Sequence, residues 1–328
     1  MYTPILDIRD TEIAIKLIKD NFERELAHRL HLTRVSAPMF LLPSTGLNDD
    51  LNGVERPVGF DMLDGGEWVE VVHSLAKWKR YALDRYAFLP GEGLYTDMNA
   101  IRRDEETDAL HSIYVDQWDW EKIITREKRT QETLLEAAQD IYRVLLDVDW
   151  QVRKRYPQLP NPDLPDRLTV ITAQELEDIY PDLTAKEREH AFLRGCGAAF
   201  IQGIGGPLRS GKPHDGRAPD YDDWTLNGDI LLYNKLLDCS FEISSMGIRV
   251  DAPAMAQQLW AARQEERAEL PFHRAVLEDT LPLTIGGGIG QSRLCMFLLQ
   301  KRHIGEVQVS VWPEDKVKRW TNEGIVLL

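Results

Sequence analysis

The stretch Gly286-Gly287-Gly288-Ile289-Gly290-Gln291-Ser292-Arg293 joins a glycine run to an apolar helix predicted over 292–300. Glycines directly before a helix allow backbone N–H groups to face a phosphate or an adenine ring. Arg293 then lies in the first turn of that helix. The run lacks the Gly-Lys-Ser/Thr ending of a P-loop and the acidic residue of a dinucleotide fingerprint. By itself, it is as typical of a tight turn as of a nucleotide site.

A second segment with phosphate-binding character is Arg102-Arg103-Asp104-Glu105, which precedes a short loop and a predicted strand over 112–120. An arginine at the end of one strand, facing an acidic strand across a hairpin, can clamp an α-phosphate. Guanidinium does so through paired, charge-assisted hydrogen bonds. A solvated charged turn is the alternative interpretation of this segment.

Acidic residues concentrate in the region that precedes the glycine run: Asp220, Asp222, Asp223, Asp229, Asp238 and Glu242. Two carboxylates on neighbouring strands suit Mg²⁺ that bridges to substrate phosphates, and Asp229 and Glu242 are the candidates. A bend at Gly247 would aim Arg249 into the same cleft. For most of 220–223, scattered surface acids are the alternative.

The remaining pattern predicts an α+β fold with a mainly antiparallel sheet of about eight strands flanked by helices. Further helices are predicted over 11–30 (with Asp10 or Thr11 as the N-cap), 121–155, 184–195 and 263–278. Strand candidates cover 33–40, 69–73, 230–233 and 241–243. Their order does not follow the strand–helix alternation of a doubly wound sheet.

Composition limits the classes of function. The chain has 328 residues, 43% hydrophobic and 28% charged, which is ordinary for a soluble globular protein. Its net charge of −15 argues against a polynucleotide partner. We expect a cytoplasmic protein, because no apolar run is long enough to span a membrane and residues 1–10 lack a signal-peptide core. The cysteines, Cys196, Cys239 and Cys295, form no C-x-x-C pair, which argues against a zinc site or a disulfide framework.

Together, these segments resemble the catalytic core of class II aminoacyl-tRNA synthetases. Pro38 matches the end of its first helix–strand unit, 102–119 its arginine–acid hairpin, and 286–293 its glycine-rich strand and helix. The segment 226–229 and the spacing of Glu242 to Arg249 are similar to the aspartyl branch. The resemblance is closer to the ammonia-dependent asparagine synthetases of type A and runs over nearly the whole chain. The matching runs are 71–80, 91–96, 112–120, 217–224 and 244–251.

That resemblance implies one aspartate–ammonia ligase catalytic domain over 1–328, in a homodimer. It implies that L-aspartate, ATP and ammonia give L-asparagine, AMP and pyrophosphate through a β-aspartyl adenylate, with Mg²⁺. Neither a nucleic acid nor a membrane is an expected partner.

Residue roles also follow from the resemblance. Arg102 and Arg293, with Mg²⁺ on Asp229 and Glu242, would stabilise charge on the phosphates. Asp49 would either take a proton from ammonium or hold the α-ammonium of aspartate. The other residues implied to bind aspartate or nucleotide are Lys79, Ser112, Gln117, Asp119, Arg217, Asp222, Ser244, Ser245, Arg249, Gly288 and Gly290.

Two other interpretations are open at this point. The first is an aspartyl- or asparaginyl-tRNA synthetase relative, which shares the adenylate step but also needs an anticodon-binding domain. The second is a non-catalytic regulatory module with the same fold. Binding alone would not require Arg102, Glu242, Arg249 and Arg293 together, which disfavours such a module.

Overall fold

A large mixed sheet lies at the centre of the computed structural model, which describes residues 2–49, 51 and 55–328. The strands are β1 (Leu32–Arg34), β2 (Phe40–Leu41), β3 (Gly59–Asp61), β4 (Trp68–Val71), β5 (Gly93–Ile101), β6 (Tyr114–Ile123), β7 (Thr169–Thr172), β8 (Ala198–Gln202), β9 (Asp222–Asn234), β10 (Cys239–Arg249) and β11 (Thr284–Gly290). The helices are α1 (Ile8–Leu30), α2 (Ala76–Arg85), α3 (Gln131–Arg155), α4 (Ala173–Ile179), α5 (Ala185–Cys196), α6 (Ala252–Ala262), α7 (Pro271–Leu277), α8 (Gln291–Leu298) and α9 (Glu314–Glu323).

The order of strands in the large sheet is β1-β5-β6-β11-β10-β9-β8-β7. Its outermost pairs, β1 with β5 and β7 with β8, are parallel, whereas the pairings between β5 and β8 are antiparallel. The predicted eight-stranded, mainly antiparallel sheet is therefore confirmed, and its parallel edges make it mixed. A separate small sheet has the order β2-β4-β3.

The main apolar core lies between the large sheet and helices α1, α3 and α8. Side chains alternate between the two faces of a strand, so β6 directs Trp118 and Trp120 into this core, where both are fully buried. Phe22 of α1 stacks on Trp118, with ring centroids 4.8 Å apart. On the opposite face, α2, α6 and α7 pack apolar side chains such as Leu83 and Phe272 against β5.

Two of the predicted helices have different bounds in the structure. The helix predicted over 121–155 begins at Gln131, because β6 continues to Ile123 and the side chain of Thr130 accepts a hydrogen bond from the N–H of Thr133. The prediction over 263–278 is also wrong, since Pro271 starts α7 as a separate helix. Proline is favoured at the start of a helix because it has no N–H to donate within one.

The first helix and the first predicted strand also differ from the sequence pattern. Helix α1 starts at Ile8, and its N-cap is Asp7, whose side chain accepts from Asp10 N at 2.8 Å, rather than Asp10 or Thr11. The strand predicted over 33–40 is divided into β1 and β2, and Pro38 lies in the break. Within the described residues, no helix combines the length and the apolar character that crossing a membrane requires.

Candidate active site

A cavity of about 510 Å³ lies over the charged face of the large sheet. All but one of the predicted site residues line it: Asp49, Lys79, Arg102, Ser112, Gln117, Asp119, Arg217, Asp222, Asp229, Glu242, Ser245, Arg249, Gly288, Gly290 and Arg293. The exception is Ser244, which is buried, and its hydroxyl donates to the carbonyl oxygen of Gly288 at 3.0 Å. The tertiary fold therefore brings together residues that are separated by up to 244 positions in the sequence.

The glycine run forms the interior strand β11, which pairs with β6 on one side and β10 on the other. The backbone groups of such a strand are used in both ladders, so the prediction that the N–H groups of 286–290 cradle a phosphate is wrong. The glycines instead leave room for side chains of the neighbouring strand β6. A Cβ at Gly286 would lie 2.0 Å from Oε2 of Glu121, and a Cβ at Gly288 would lie 2.6 Å from Oε1 of Gln117. Glycine thus lets polar side chains of β6 lie directly on the floor of the cavity.

Lys79 and Asp119 form a buried ion pair on this floor. The Lys79 Nζ lies 2.6 Å from Oδ1 of Asp119 and donates to the carbonyl oxygen of Gly287 at 3.0 Å. Burial lowers the pKa of Lys79, and the carboxylates of Asp119 and Glu121 oppose that shift. The two contacts use two of the three ammonium donors, so one donor remains for a ligand.

Glu121 is a member of the site that the sequence interpretation missed. It is fully buried, and it accepts from Nη2 of Arg249 at 2.8 Å and from the hydroxyl of Thr284 at 2.7 Å. Burial would raise the pKa of Glu121, but Arg249, Lys79 and Thr284 together outweigh it and lower the pKa. Arg249 also pairs with Asp222. The alternation Gln117, Asp119, Glu121 on β6 was the available signal, and it was lost because the predicted strand ended at 120.

Arg217 connects this network to the proposed metal carboxylates. Its Nη2 lies 2.7 Å from Oδ1 of Asp229, its Nη1 bonds the hydroxyl of Ser245, and its Nε lies 3.9 Å from Asp222. Burial raises the pKa of Asp229 to about 6; Arg217 opposes this shift, and the carboxylate of Glu242 adds to it. Asp229 and Glu242 therefore act on each other electrostatically across neighbouring strands β9 and β10.

Arg102 and Arg293 differ from Arg217 and Arg249, because neither forms an ion pair with a carboxylate within the described part of the chain. The Nε of Arg102 is buried and has no hydrogen-bond partner there, and Nη1 of Arg293 donates only to the backbone oxygen of Glu242, at 3.3 Å. Both side chains line the cavity. Two cationic groups are thus available for an anionic ligand.

Asp116 holds the start of α8 and thereby positions Arg293. Its carboxylate accepts from the backbone N of Ser292 at 3.0 Å and from the Ser292 hydroxyl at 2.8 Å, and Lys19 lies 3.0 Å away. A carboxylate at a helix N-terminus satisfies donors that the helix itself leaves open. The sequence did not single out Asp116, because its partners come from distant segments.

Asp220, Asp222 and Asp223 are buried rather than scattered on the surface, which corrects the alternative interpretation of 220–223. Oδ2 of Asp220 accepts from Lys77 at 2.9 Å and from His273 at 2.8 Å, and Arg267 Nη1 lies 3.0 Å away. The surrounding cations lower the pKa of Asp220 although its burial would raise it. This anchor fixes the segment that carries Arg217 and Asp222.

Asp49 also lines the cavity and is 2% exposed. Its Oδ1 accepts from the backbone N of Leu51 at 3.1 Å, and its carbonyl oxygen lies 3.1 Å from Nδ1 of His73. Burial, followed by the carboxylate of Asp49, raises the pKa of the neighbouring Tyr221 well above its usual value. A buried carboxylate beside a phenol suits the binding of a small cation.

Comparison with known sequences gives matches over the full chain. A family model described as aspartate-ammonia ligase matches residues 9–324. An aspartate–ammonia ligase from Clostridium perfringens (strain SM101 / Type A) is 60% identical over 328 residues, which cover 100% of this chain and 97% of the relative. One from Bacillus cereus (strain B4264) is 58% identical over 327 residues, which cover 100% of both chains.

Solved structures with a similar fold are asparaginyl-tRNA synthetases in complex with asparaginyl-adenylate. The Entamoeba histolytica enzyme has a TM-score of 0.64 at 15% identity, and the match covers 92% of this chain and 66% of that one. The Pyrococcus horikoshii enzyme has a TM-score of 0.65 at 14% identity, with 93% and 70% covered. This chain therefore spans about two thirds of those synthetases, and the likeness shows a shared fold.

Proposed function

Because this chain belongs to the aspartate–ammonia ligase family and synthesises asparagine from aspartate and ammonia, we propose that its cavity activates the β-carboxylate of aspartate with ATP as an acyl adenylate. A carboxylate is a poor electrophile because its charge repels a nucleophile. Transfer of AMP to it removes that charge and releases pyrophosphate. The observation that supports this route is the pair of arginines without carboxylate partners, Arg102 and Arg293, beside the ion-paired floor.

The aspartate end of the site uses side chains that retain donors after their internal contacts are made. Lys79 keeps one ammonium donor, and each terminal nitrogen of Arg249 keeps a second N–H. With Gln117 and Ser245, they hold the α-carboxylate and orient the β-carboxylate toward the nucleotide. The residues that line the rest of the reactant site are Ser112, Asp119, Arg217, Asp222, Ser244, Gly288 and Gly290.

Arg102 and Arg293 bind the phosphates of ATP and stabilise the charge that grows on them as pyrophosphate leaves. Preorganised donors of this kind contribute about 3 kcal/mol each when they face developing charge in a site from which water is excluded. Asp116 keeps Arg293 in place through its contacts with Ser292.

Asp229 and Glu242 fit a magnesium site. They are oxygen donors on adjacent strands; burial raises the pKa of Asp229, and the carboxylate of Glu242 adds to that shift although Arg217 opposes it. Within the described residues, no group of three or more metal-ligating side chains exists, which suits Mg²⁺ because it takes one or two carboxylates plus substrate phosphates. When bound, Mg²⁺ would neutralise phosphate charge.

An isotope experiment tests the adenylate. Aspartate labelled with ¹⁸O in the β-carboxylate is converted in the presence of ATP and ammonia, and the nucleotide product is examined by mass spectrometry. We expect AMP that carries one ¹⁸O, because the carboxylate oxygen stays on the phosphorus when ammonia displaces AMP. Release of ADP, with ¹⁸O in inorganic phosphate, would show an acyl phosphate instead.

Asp49 accepts a proton from ammonium in this proposal; the alternative is that it holds the α-ammonium of aspartate. The variant Asp49→Asn distinguishes the two roles. Loss of amidation with adenylate formation largely retained, measured by ATP–pyrophosphate exchange, supports proton transfer from ammonium. Equal loss of both steps supports binding of aspartate.

Ammonia, rather than tRNA, is the acyl acceptor in this proposal, since the net charge of −15 opposes contact with polynucleotides. Charging of tRNA with radiolabelled aspartate would contradict it.

We also propose one catalytic domain over 1–328 that works as a homodimer in the cytoplasm. Exposed apolar side chains on and beside the small sheet support a dimer: Met39, Phe40, Phe60 and Trp68. Light scattering on the purified protein measures this state.

A further inference from the structure

Lys186 is a cation of the cavity that neither the sequence motifs nor the arginine pair accounts for. It lies in the first turn of α5, where Thr184 and Glu187 form a capping box that fixes the start of the helix. Its side chain lines the cavity, as those of Asp215 and Glu242 do. The side chain is 63% exposed, so the ammonium group is accessible to a ligand.

The present partners of Lys186 hold it loosely. Its Nζ lies 3.3 Å from both carboxylate oxygens of Glu189 and 3.4 Å from Oδ2 of Asp215. The ion pair of Lys79 with Asp119 is much shorter, at 2.6 Å, and is buried. Exposed pairs at longer distances contribute little to stability, so an anion with more charge competes for this ammonium.

The surroundings of Lys186 place it at the metal end of the cavity. Partial burial alone would lower the pKa of Lys186, but the carboxylates of Glu189, Asp215 and Glu242 reverse that and raise it. These carboxylates therefore favour the charged form of Lys186. Glu242 is one of the two proposed magnesium ligands and lines the same cavity as Lys186, so phosphates that a magnesium ion would hold there would share the cavity with this ammonium group.

We propose that Lys186 binds the β- and γ-phosphates of ATP and stays on pyrophosphate as it leaves, an inference that rests on the adenylate route proposed above. In that step, a β-carboxylate oxygen of aspartate forms a bond to the α-phosphorus. The bond from the α-phosphorus to the oxygen that bridges to the β-phosphate breaks, and its electron pair leaves with pyrophosphate. Lys186 donates hydrogen bonds to this leaving group and transfers no proton.

The test compares Lys186→Met and Lys186→Arg with the unchanged enzyme, at a fixed excess of Mg²⁺. Lys186→Met should raise the KM for ATP and the inhibition constant of added inorganic pyrophosphate by about tenfold, the effect of losing one charge-assisted hydrogen bond. The KM for aspartate should not change. Lys186→Arg should restore both constants, because arginine keeps the charge. Lys212→Met, an exposed lysine outside the cavity lining, is the matched control.

A second variant separates phosphate binding from a structural role. Asp215→Asn weakens one ion pair of Lys186 without removing the ammonium, so pyrophosphate inhibition should stay as strong as in the unchanged enzyme. If Asp215→Asn reproduces the loss seen in Lys186→Met, the ion pair matters and the proposed phosphate contact is wrong. A folded Lys186→Met with unchanged constants for ATP and pyrophosphate also overturns it.

A failure of the proposed role of Lys186 can be distinguished from a failure of the adenylate route. If the unchanged enzyme releases AMP but Lys186→Met behaves normally, only the role of Lys186 fails. If the unchanged enzyme releases ADP, both proposals fail.

Discussion

The two faces of strand β6 are equally buried but differ in chemistry. On one face, Trp118 and Trp120 have no exposed surface and pack against helices. On the other, Asp119 and Glu121 are 3% and 0% exposed and lie among Lys79 and Arg249. Burial of apolar surface is favourable in itself, whereas burial of charges is costly unless each charge is paired and hydrogen-bonded.

This difference shows how a single strand separates stability from catalysis. On the tryptophan face, buried apolar area stabilises the folded state, and a void left by a smaller side chain would destabilise it. The carboxylate face holds Lys79 and Arg249 in fixed positions at the cavity, where the proposed function has them bind aspartate. We therefore expect substitutions on the first face to lower the free energy of unfolding and those on the second to lower turnover.

The largest loss of stability should come from Trp118→Ala. Removal of a fully buried ring that stacks on Phe22 should cost about 3–5 kcal/mol in the free energy of unfolding. Urea denaturation measures this loss, and kcat of the folded enzyme at low temperature should stay near its original value. A steep fall in kcat would show that the two faces are not independent.

Arg293→Ala should have the opposite effect, a large loss of turnover with little loss of stability. Loss of one donor to developing phosphate charge should lower kcat by about 10²–10³-fold, while the free energy of unfolding changes by about 0.5 kcal/mol or less. Steady-state assay of AMP release provides the comparison, with the exposed Arg319→Ala as control. Near-normal turnover would remove Arg293 from the catalytic residues.

The pH dependence of stability tests a buried group away from the cavity. This group is His303, whose ring lies 4.0 Å from that of Trp320. Burial lowers the pKa of His303 to about 4, below the value of about 6.5 in an unfolded chain. The unfolded state therefore takes up the proton first. This contribution to stability is complete above about pH 6.5 and is lost as the pH falls toward 4, by at most on the order of 3 kcal/mol.

The variant His303→Asn isolates that effect. Asparagine keeps an acceptor for the N–H of Gly305, which Nδ1 of His303 accepts at 3.0 Å, but it does not titrate in this range. We expect unfolding free energies, measured by urea between pH 7 and 4.5, to depend less on pH in the variant. An unchanged slope would assign the acid sensitivity to other groups.

Gly286→Ala affects both faces and should lower stability less than Trp118→Ala does. The added Cβ would meet Oε2 of Glu121 at 2.0 Å and would displace it from Arg249. The expected cost is about 1–3 kcal/mol, together with a lower kcat because Arg249 and Lys79 share that carboxylate. Gly195→Ala, in α5 with nothing within 4 Å of its Cβ, should instead stabilise slightly. Equal behaviour of the two variants would exclude the steric explanation.

Much of the fold was predictable from local patterns. The capped helix α5 and the centres of β9 and β10 have clear local signals, so they were found. Helix α6, strand β5 and the pair β7–α4 were not predicted, because their residues alternate too weakly to distinguish strand from helix. The start of α3 was missed because β6 continues to Ile123, where Glu121 pairs with Arg249 of a distant strand. The start of α7 did have a local signal, since proline is favoured at the first position of a helix.

For the site, the residue types were predictable but their mutual arrangement was not. Arg102 and Arg293 stand in recognisable segments, and so do Asp229 and Glu242. Asp116 and Lys186 carry no local signal, and Glu121 carries only its place in the alternation along β6. Their roles become clear through partners that are distant in the sequence or the fold: Ser292, Asp215 and Arg249.

The sequence by itself determined the family, the reaction and most of the residues around the cavity, because runs such as 71–80 and 217–224 are specific enough to identify them. Only the tertiary structure decided why the glycines of 286–290 are needed. A strand in the middle of a sheet has no N–H groups left for a phosphate. The absence of Cβ atoms is what allows the buried carboxylate of Glu121, and the amide of Gln117 in the cavity lining, to lie against β11. Steric exclusion of that kind depends on neighbours in space, which sequence order does not reveal.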